Sequence, residues 1–275
     1  MSLPPGYEQL EHHGARLVLR SDLRAPLLAA GVADPLAVIA RHPADVGGRA
    51  RLGRIELEGV GPLLVRALVR GGLVGKVVRR LSWDPLRAES ELRVSVEAAA
   101  RGASVPEVVA AVTRRVPGGY QHGLVVRELS GARDLVAVLR AEPEGIARWR
   151  ALRAAGEAVR RLHDAGVDHV DLNLKNVLVG QDGRGVVIDL DRCRVHEAAL
   201  DERGRERNLL RLYRSWLKLQ AAEPQVTCPR DPLRVARAYA QGELDRWRRL
   251  VERGRAARFW SHQLRWALFP PRFPA

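Results

Sequence analysis

The stretch that decides the fold runs from residue 169 to residue 191 and reads HVDLNLKNVLVGQDGRGVVIDLD. Two short apolar runs, at 177–179 and 185–188, are separated by a Gln-Asp-Gly sequence that is a hairpin signal. A hairpin brings the residues that flank it to the same end. We therefore expect Asn176 and Asp189, one on each side of the predicted hairpin, to lie close together.

The polar residues of this stretch have the chemistry of phosphoryl transfer. Asp171, in an H-x-D, is placed as the carboxylate that accepts the proton of an attacking hydroxyl. Asn176, five residues later, offers a carbonyl oxygen to Mg²⁺, and Asp189 offers a charged oxygen to the same metal site. This order is typical of the protein-kinase signature H-R-D-x-x-x-x-N followed by D-F-G. His169 is predicted to be a packed, hydrogen-bonded scaffold residue, and an ordinary hairpin with acidic ends is the alternative for the whole stretch.

Two departures from the protein-kinase signature bear on the acceptor. The D-F-G position reads Asp189-Leu190-Asp191, so the glycine is absent, and Asn173 stands where protein kinases carry a lysine. Both departures favour a kinase for a small molecule or a glycolipid over a protein kinase.

Length and composition predict a globular protein. The chain has 275 residues, of which 46% are hydrophobic, enough for a two-lobed unit with a substantial core. Two cysteines, Cys193 and Cys228, cannot make a disulfide framework, which indicates a reducing compartment. The N-terminus lacks the pattern of a signal peptide, and no apolar run approaches the ~18–20 residues that span a bilayer. We therefore expect a cytoplasmic or peripheral protein.

The charge of the chain predicts an anionic partner. The formal net charge is +14, from 46 basic and 32 acidic residues, and nearly all of the positive charge is arginine. Part of this excess reflects genome composition. The rest indicates nucleic acid, an anionic membrane face or a phosphorylated lipid, since the planar guanidinium suits phosphate and carboxylate groups.

The first half of the chain has the order of a kinase N-lobe. Gly47-Gly48 precedes strand-like segments at 52–57 and 63–69, and a glycine loop of this kind covers nucleotide phosphates with its N–H groups. A plain turn is the alternative at Gly47-Gly48. Further strand-like runs at 108–112 and 124–129 complete a small sheet. Glu128 begins the predicted hinge, whose backbone would pair with adenine.

An arginine takes the position of the kinase lysine that contacts the α- and β-phosphates. Arg66 lies on the second of these strands, and Glu91 lies near the start of an amphipathic helix that corresponds to the kinase αC helix. We predict that Glu91, rather than Glu89, pairs with Arg66. Alternatively, both glutamates are solvated acids at the start of a helix.

Several segments are predicted to be helical. The first is short, at 34–39, with a proline at its start. A long amphipathic helix runs from Ile146 to Leu162 and leads into the catalytic loop. Beyond Asp191 the pattern predicts helices at 208–219, at 235–239 and from Glu243 onward. Together these patterns predict an α+β, two-lobed protein-kinase-like fold, with a sheet-based N-lobe at 1–130 and a mainly helical C-lobe at 131–275.

Two basic segments are candidates for membrane contact. Residues 70–81 place apolar side chains on one helical stripe, with Lys76, Arg79 and Arg80 largely off it. A helix that packs on the core gives the same pattern. The tail from Trp247 to Phe273 interleaves aromatic residues with arginines, and suits a packing helix, a membrane-interface belt or a nucleic-acid surface, in that order.

These motifs together resemble the lipopolysaccharide kinase family. The matching pieces occur in the family's order and cover roughly residues 47–216. They are Gly47-Gly48-Arg49, Leu64-Val65-Arg66, Arg70-Gly71-Gly72-Leu73, Glu91-Leu92-Arg93, Gly131-Ala132-Arg133-Asp134-Leu135, His169-x-Asp171-Leu172-Asn173-x-x-Asn176, Ile188-Asp189-Leu190-Asp191-Arg192 and Asn208-Leu209-x-Arg211-Leu212-x-Arg214-Ser215. That family also carries an arginine at the position of Arg66. It usually reads Asp-Phe-Asp where this chain has Leu190.

The resemblance implies an ATP-dependent kinase that phosphorylates a hydroxyl of the 3-deoxy-D-manno-octulosonic acid (Kdo) sugar of Kdo–lipid A in lipopolysaccharide biosynthesis. It implies Mg²⁺ as cofactor, peripheral contact with the cytoplasmic face of the inner membrane, and no nucleic-acid partner. Three alternatives remain open. They are a kinase of the same fold for heptose or an aminoglycoside-like acceptor, a nucleotide-binding pseudokinase scaffold, and a nucleic-acid-binding protein suggested by charge alone.

Overall fold

A computed structural model of the protein describes residues 3–44, 52–68, 82–142 and 144–243, with positions 245, 246, 248, 249 and 252. The strands are β1 (Tyr7–His12), β2 (Ala15–Arg20), β3 (Pro43–Ala44), β4 (Leu52–Leu57), β5 (Gly61–Ala67), β6 (Val108–Val116), β7 (Gly119–Arg127), β8 (Arg133–Asp134), β9 (Val167–Asp168), β10 (Val177–Val179), β11 (Gly185–Val187) and β12 (Arg194–Val195). The α-helices are α1 (Arg24–Ala29), α2 (Pro35–Arg41), α3 (Arg87–Ala100), α4 (Leu135–Ala141), α5 (Ile146–Asp164), α6 (Glu202–Ala222) and α7 (Asp231–Ala240). Short 3-10 helices lie at Ser21–Leu23, Leu174–Asn176 and Pro224–Val226.

The first half of the chain forms one antiparallel sheet. Its strand order is β1-β2-β6-β7-β5-β4-β3. The sequence patterns predict β4 to β7 but miss the β1–β2 hairpin. That hairpin turns at His13 and Gly14, which both have positive φ (48° and 71°), as a tight two-residue turn requires. His-Gly is a weak signal for this turn, and β1 has few apolar residues to mark it as a strand.

Helix α3 packs across β6 and β7 through a small apolar cluster. Ala88 and Leu92 on the helix contact Val108, Ala111 and Leu124 of the two strands. In the sheet, Arg66 of β5 is the register partner of Leu124. The helix therefore brings its polar residues close to the end of β5.

The second half of the chain is mainly helical and has its own apolar core. Helix α5 lies at its centre, with a face of alanine, leucine and valine residues buried against α7 and β11. At Gly156 an added Cβ atom would lie 2.5 Å from the Val235 carbonyl oxygen, so only glycine permits this approach of α7. The helix predicted at 146–162 is thus confirmed, and it ends at Asp164.

The hairpin predicted in the key stretch is confirmed. Val177 of β10 pairs with Val187 of β11, and the Ile188 N–H donates to the Asn176 carbonyl at 2.9 Å. The turn between the strands includes Gly183 with φ 75°. Asn176 and Asp189 therefore leave the same end of the hairpin, as the sequence indicates.

Some predicted features lie outside the described residues. They are the Gly47-Gly48 loop, the basic stripe at 70–81 and the aromatic residues of the tail from Trp247 to Phe273. Among the residues that the structure describes, no helix is both long and apolar enough to cross a bilayer.

Candidate active site

The catalytic-loop segment follows β9 and presents Asp171 to solvent. Asp171 is exposed, and its backbone N–H donates to His169 Nδ1 at 3.2 Å. The side-chain amide of Asn176 donates to the Asp171 carbonyl at 2.9 Å. These two bonds fix the backbone on both sides of the Asp171 carboxylate, which stays accessible to an acceptor.

His169 is a buried scaffold residue, as predicted. Its ring is fully buried, and Nε2 lies 3.1 Å from the Ile188 carbonyl oxygen. Nδ1 accepts the Asp171 N–H, so the proton of the neutral ring is on Nε2 and is donated to Ile188. Burial lowers the pKa of His169, which keeps the ring neutral. The histidine thus ties the catalytic loop to the strand that precedes Asp189.

Helix α6 holds the catalytic loop at several points. The buried side chain of Asn208 accepts the His169 backbone N–H at 2.9 Å and donates to Asp168 Oδ1 at 2.7 Å. Two turns later, Ser215 Oγ accepts the Leu174 N–H at 3.3 Å. The sequence pattern predicts a helix at 208–219, which is confirmed as part of α6, but the pattern assigned no role to Asn208. A polar residue at a buried helical position is the signal that points to Asn208.

Asn176 and Asp189 offer oxygen ligands at one end of the hairpin. Because the amide nitrogen of Asn176 is bonded to the Asp171 carbonyl, its oxygen Oδ1 is the atom it can offer to a cation. The side chain of Asp189 is 41% exposed, and the residue has φ 65°, a left-handed conformation that few residues other than glycine adopt. Strain of this kind is concentrated at functional sites. Hard oxygen donors of this sort are the ligands that Mg²⁺ takes.

Arg66 joins the sheet to this site through two ion pairs. Its Nη2 donates to Glu91 Oε1 on α3, and its Nη1 donates to Asp189 Oδ1 at 3.1 Å. The predicted Arg66–Glu91 pair is therefore confirmed. Glu89 instead accepts from Arg93 on the same helix at 2.7 Å.

The carboxylates around Arg66 favour the binding of a cation. Burial raises the pKa of Glu91 to about 7, against the lowering effect of Arg66. Burial also acts to lower the pKa of Arg66, but Glu91 and Asp189 outweigh it and the net shift is upward. Within the described residues, Glu91 Oε2 is buried without a hydrogen-bond partner. Positive charge at Asp189 would stabilise these neighbouring carboxylates, so the donor set fits a divalent cation.

A third ion pair links α3 directly to the loop after β11. Arg87 Nη2 donates to Asp191 Oδ2 at 2.7 Å, and Arg87 Nε donates to Asp191 Oδ1 at 3.2 Å. The sequence patterns did not assign a role to either residue. No local periodicity relates two positions 104 residues apart.

The predicted hinge lies where the chain leaves the sheet. The Glu128 N–H donates to the Pro62 carbonyl at 3.0 Å, and the Glu128 carboxylate accepts from Arg54 Nε at 2.6 Å. Contact of Glu128 with adenine would therefore use its carbonyl oxygen. The predicted phosphate contacts of Gly47 and Gly48 fall outside the described residues.

Four features together define a phosphotransferase of the protein-kinase-like fold. They are the sheet, the helix α3, the ion pair between them and the catalytic hairpin. The sequence model described as "Lipopolysaccharide kinase (Kdo/WaaP) family" matches residues 44–239. The chain therefore belongs to the lipopolysaccharide kinase (Kdo/WaaP) family.

Known relatives agree with this assignment. The chain is 35% identical over 202 residues to the 3-deoxy-D-manno-octulosonic acid kinase of Xanthomonas euvesicatoria pv. vesicatoria (strain 85-10), a match that covers 72% of this chain and 78% of the relative. It is 33% identical over 202 residues, with the same coverage, to the enzyme of that name from Xylella fastidiosa (strain M23).

A solved structure confirms the predicted fold. The chain resembles WaaP, from a structure titled "WaaP in complex with acyl carrier protein", with a TM-score of 0.53 and 21% sequence identity. The match covers 88% of this chain and 98% of the WaaP chain. At this identity the likeness supports the fold alone.

Proposed function

We propose that the protein transfers the γ-phosphoryl group of ATP to a hydroxyl of the Kdo sugar of Kdo–lipid A. Membership of the family and the name shared by its relatives support this acceptor. The kinase activity is supported above all by the contact of Arg66 with both Glu91 and Asp189, next to the hairpin that bears Asn176. This contact joins a residue suited to phosphate binding to one suited to metal binding.

Asp171 is the proposed general base. It is exposed, and its backbone is fixed on both sides, so the carboxylate can meet an acceptor hydroxyl in a defined position. Asp171 accepts the hydroxyl proton while the hydroxyl oxygen bonds to the γ-phosphorus and the bond to ADP breaks. Such a positioned base contributes about 10²–10⁴-fold to the rate.

Asn176 and Asp189 are the proposed ligands of Mg²⁺, which, when bound, neutralises charge on the ATP phosphates. Asn176 contributes Oδ1, and Asp189 contributes the carboxylate oxygens that Arg66 leaves accessible. Arg66 cannot be deprotonated at physiological pH, and its guanidinium has five N–H donors. Glu91 and Asp189 engage two of its nitrogens, and the remaining donors are proposed to contact phosphate.

We propose that the nucleotide lies between an N-lobe at 1–130 and a C-lobe at 131–275. The apolar clusters support this division, because the two sheet clusters contain only residues before 130, and the helical cluster takes all of its buried residues except Ala98 and Ala103 from after 130. In this arrangement Gly47 and Gly48 would cover the phosphates from the N-lobe. The Glu128 carbonyl would accept a hydrogen bond from adenine at the junction.

The proposed acceptor is anchored in a bilayer, so the enzyme must work at a membrane surface. We propose reversible docking to the anionic cytoplasmic face of the inner membrane, through the basic stripe at 70–81 and the tail after Trp247. The net charge of +14 supports this proposal. So does the exposure of Trp83 (70%) and Leu86 (47%), which follow the stripe in the chain.

Mass spectrometry of lipopolysaccharide tests the acceptor. Lipid A–core from cells that lack this protein should be lighter by one phosphate on the Kdo region than that from cells that carry it. Complementation with an Asp171→Asn variant should leave the mass unchanged. A missing phosphate on heptose instead would assign the protein to another sugar of the same molecule.

A further inference from the structure

Three ion pairs make two connections between one face of α3 and one loop. Arg87 is the first residue of α3 and lies one turn before Glu91, so the two side chains share a face of the helix. Asp191 lies two residues after Asp189 in the loop that follows β11. Glu91 reaches Asp189 through Arg66, and Arg87 reaches Asp191 directly. The contacts thus close a ring of three ion pairs, which is completed by α3 between Arg87 and Glu91 and by the loop backbone between Asp189 and Asp191.

The geometry of the Arg87–Asp191 pair fixes the position of the two side chains relative to each other. Both nitrogens of the guanidinium edge contact both oxygens of the carboxylate, and the side chains are only 10% and 19% exposed. A two-point contact fixes the orientation of the partners as well as their separation. At this burial the pair is shielded from water and salt more than an ordinary surface pair.

The loop that the pair holds is strained. Asp189 and Arg192 both have positive φ, 65° and 61°, and neither is a glycine. Leu190, which lies between Asp189 and Asp191 in the chain, is buried in the helical core with 1% exposure. A loop with two left-handed residues keeps its shape only where contacts on both sides determine it. Leu190 supplies one such contact and Asp191 supplies the other.

We propose that Arg87 and Asp191 are positioning residues for the phosphoryl-transfer site. Their pair holds α3 against the loop, so that Glu91 stays on Arg66 and Asp189 stays at the metal site. This proposal rests on the proposed function, because it assigns metal and nucleotide binding to Asp189 and Arg66.

The test compares three variants of the full-length protein. Arg87→Gln and Asp191→Asn each remove one charge of the pair, and Arg93→Gln is the matched control. Arg93 lies on the same helix and pairs with Glu89 at 2.7 Å, away from the ring. Two kinds of measurement are made on each variant. Steady-state kinetics give kcat, the KM values for ATP and for Kdo–lipid A, and the dependence of the rate on Mg²⁺ concentration. Calorimetry gives the affinity for MgADP.

We expect kcat to fall about 10-fold to 100-fold in Arg87→Gln and in Asp191→Asn, the range caused by small misplacement of reacting groups. The Mg²⁺ concentration for half-maximal rate and the Kd for MgADP should rise, while the KM for Kdo–lipid A stays within about twofold of wild type. Arg93→Gln should match wild type in all of these. Arg87→Lys should recover part of the loss, since it restores the charge without the fork.

The double variant Arg87→Gln/Asp191→Asn separates positioning by the pair from independent effects. Its kcat should equal that of the worse single variant, because both changes break the same contact. A loss equal to the product of the two single losses would overturn the proposal, as would equal effects of Arg87→Gln and Arg93→Gln. If Arg87→Gln does not fold, Asp191→Asn and Arg87→Lys decide by the same criteria. If wild type transfers no phosphoryl group to Kdo–lipid A, the proposed acceptor is wrong. The positioning role of Arg87 and Asp191 is then tested by the MgADP affinities of the variants alone.

Discussion

Arg66 Nη1 donates to Asp189 Oδ1 at 3.1 Å and joins residues 123 positions apart in the chain. Arg66 lies in the sheet, and Asp189 follows the hairpin of the helical half. Glu91 holds the same guanidinium from α3. One side chain thus connects the three elements from which the proposed site is built.

Replacement of Arg66 by lysine tests the need for a guanidinium. An ammonium is a single point charge, so it cannot bond to Glu91 and Asp189 while it also reaches phosphate in the same geometry. We expect Arg66→Lys to keep the fold and to lower kcat/KM for ATP about 10-fold to 100-fold. Steady-state kinetics measure this change. Arg115→Lys, which alters an exposed arginine of β6 in the same sheet, is the control, and equal activity of the two variants would show that only the charge matters.

Asn208 on α6 is predicted to support the catalytic loop. Asn208→Ala would leave the His169 N–H without its partner and remove a hydrogen bond to Asp168. Loss of a buried hydrogen bond costs about 1–3 kcal/mol of unfolding free energy, and we expect kcat to fall with little change in KM for ATP. Arg207→Gln, which removes a more exposed contact to Asp168, is the control. Wild-type kcat in Asn208→Ala would contradict this role.

The buried histidine His163 is predicted to make the protein sensitive to acid. Tyr239 OH accepts from Arg205 at 3.1 Å, so its own proton goes to His163 Nδ1, 2.8 Å away. Burial, with a smaller effect of Arg205, lowers the pKa of His163 to about 3. The unfolded chain therefore binds this proton near pH 6.5 and the folded chain does not, so stability is complete above that pH and falls as pH drops toward 3.

The expected loss for this single proton approaches ~1.4 kcal/mol of unfolding free energy per pH unit. Denaturant unfolding at pH 7, 6, 5 and 4 measures it. His163→Gln keeps an acceptor for Tyr239 and should flatten the profile, whereas His196→Gln, at an exposed position, should not. Parallel profiles for wild type and His163→Gln would contradict the assignment.

Membrane docking predicts a salt-dependent interaction with anionic lipid. Each lysine or arginine at such a surface contributes about 1 kcal/mol, which salt screens. Binding to anionic vesicles should therefore weaken steeply between low and physiological salt, and Lys76→Glu with Arg79→Glu should reduce it. Arg150→Glu with Arg184→Glu changes the net charge equally at exposed positions of the helical half and serves as control. Equal flotation with neutral and anionic vesicles, or none with either, would refute docking.

The sequence predicted the parts of the site that depend on local patterns. The hairpin signal between two apolar runs placed Asn176 and Asp189 at one end, and the resemblance to a kinase singled out Arg66 and Glu91. These patterns succeed because hairpin geometry and the order of a kinase lobe are both recorded in short stretches of sequence.

The sequence patterns could not predict contacts between segments that are distant in the chain. The pair of Arg87 and Asp191 depends on how α3 docks on the loop after β11, and that docking is a property of the packed core. The β1–β2 hairpin was missed because a half-exposed edge strand needs few apolar residues. Its turn, at His13 and Gly14, also lacks the asparagine or aspartate that would mark it.

Transfer of phosphate to purified Kdo–lipid A tests the central claim most directly. The protein is incubated with Kdo–lipid A, labelled ATP and Mg²⁺, and the product is analysed by mass spectrometry. We predict that wild type adds one phosphate to the Kdo sugar and that Asp171→Asn, with an unchanged melting temperature, does so about 10²–10⁴-fold more slowly. Phosphorylation at an equal rate by Asp171→Asn, or none of Kdo–lipid A by a wild-type protein that binds MgATP, would contradict the account.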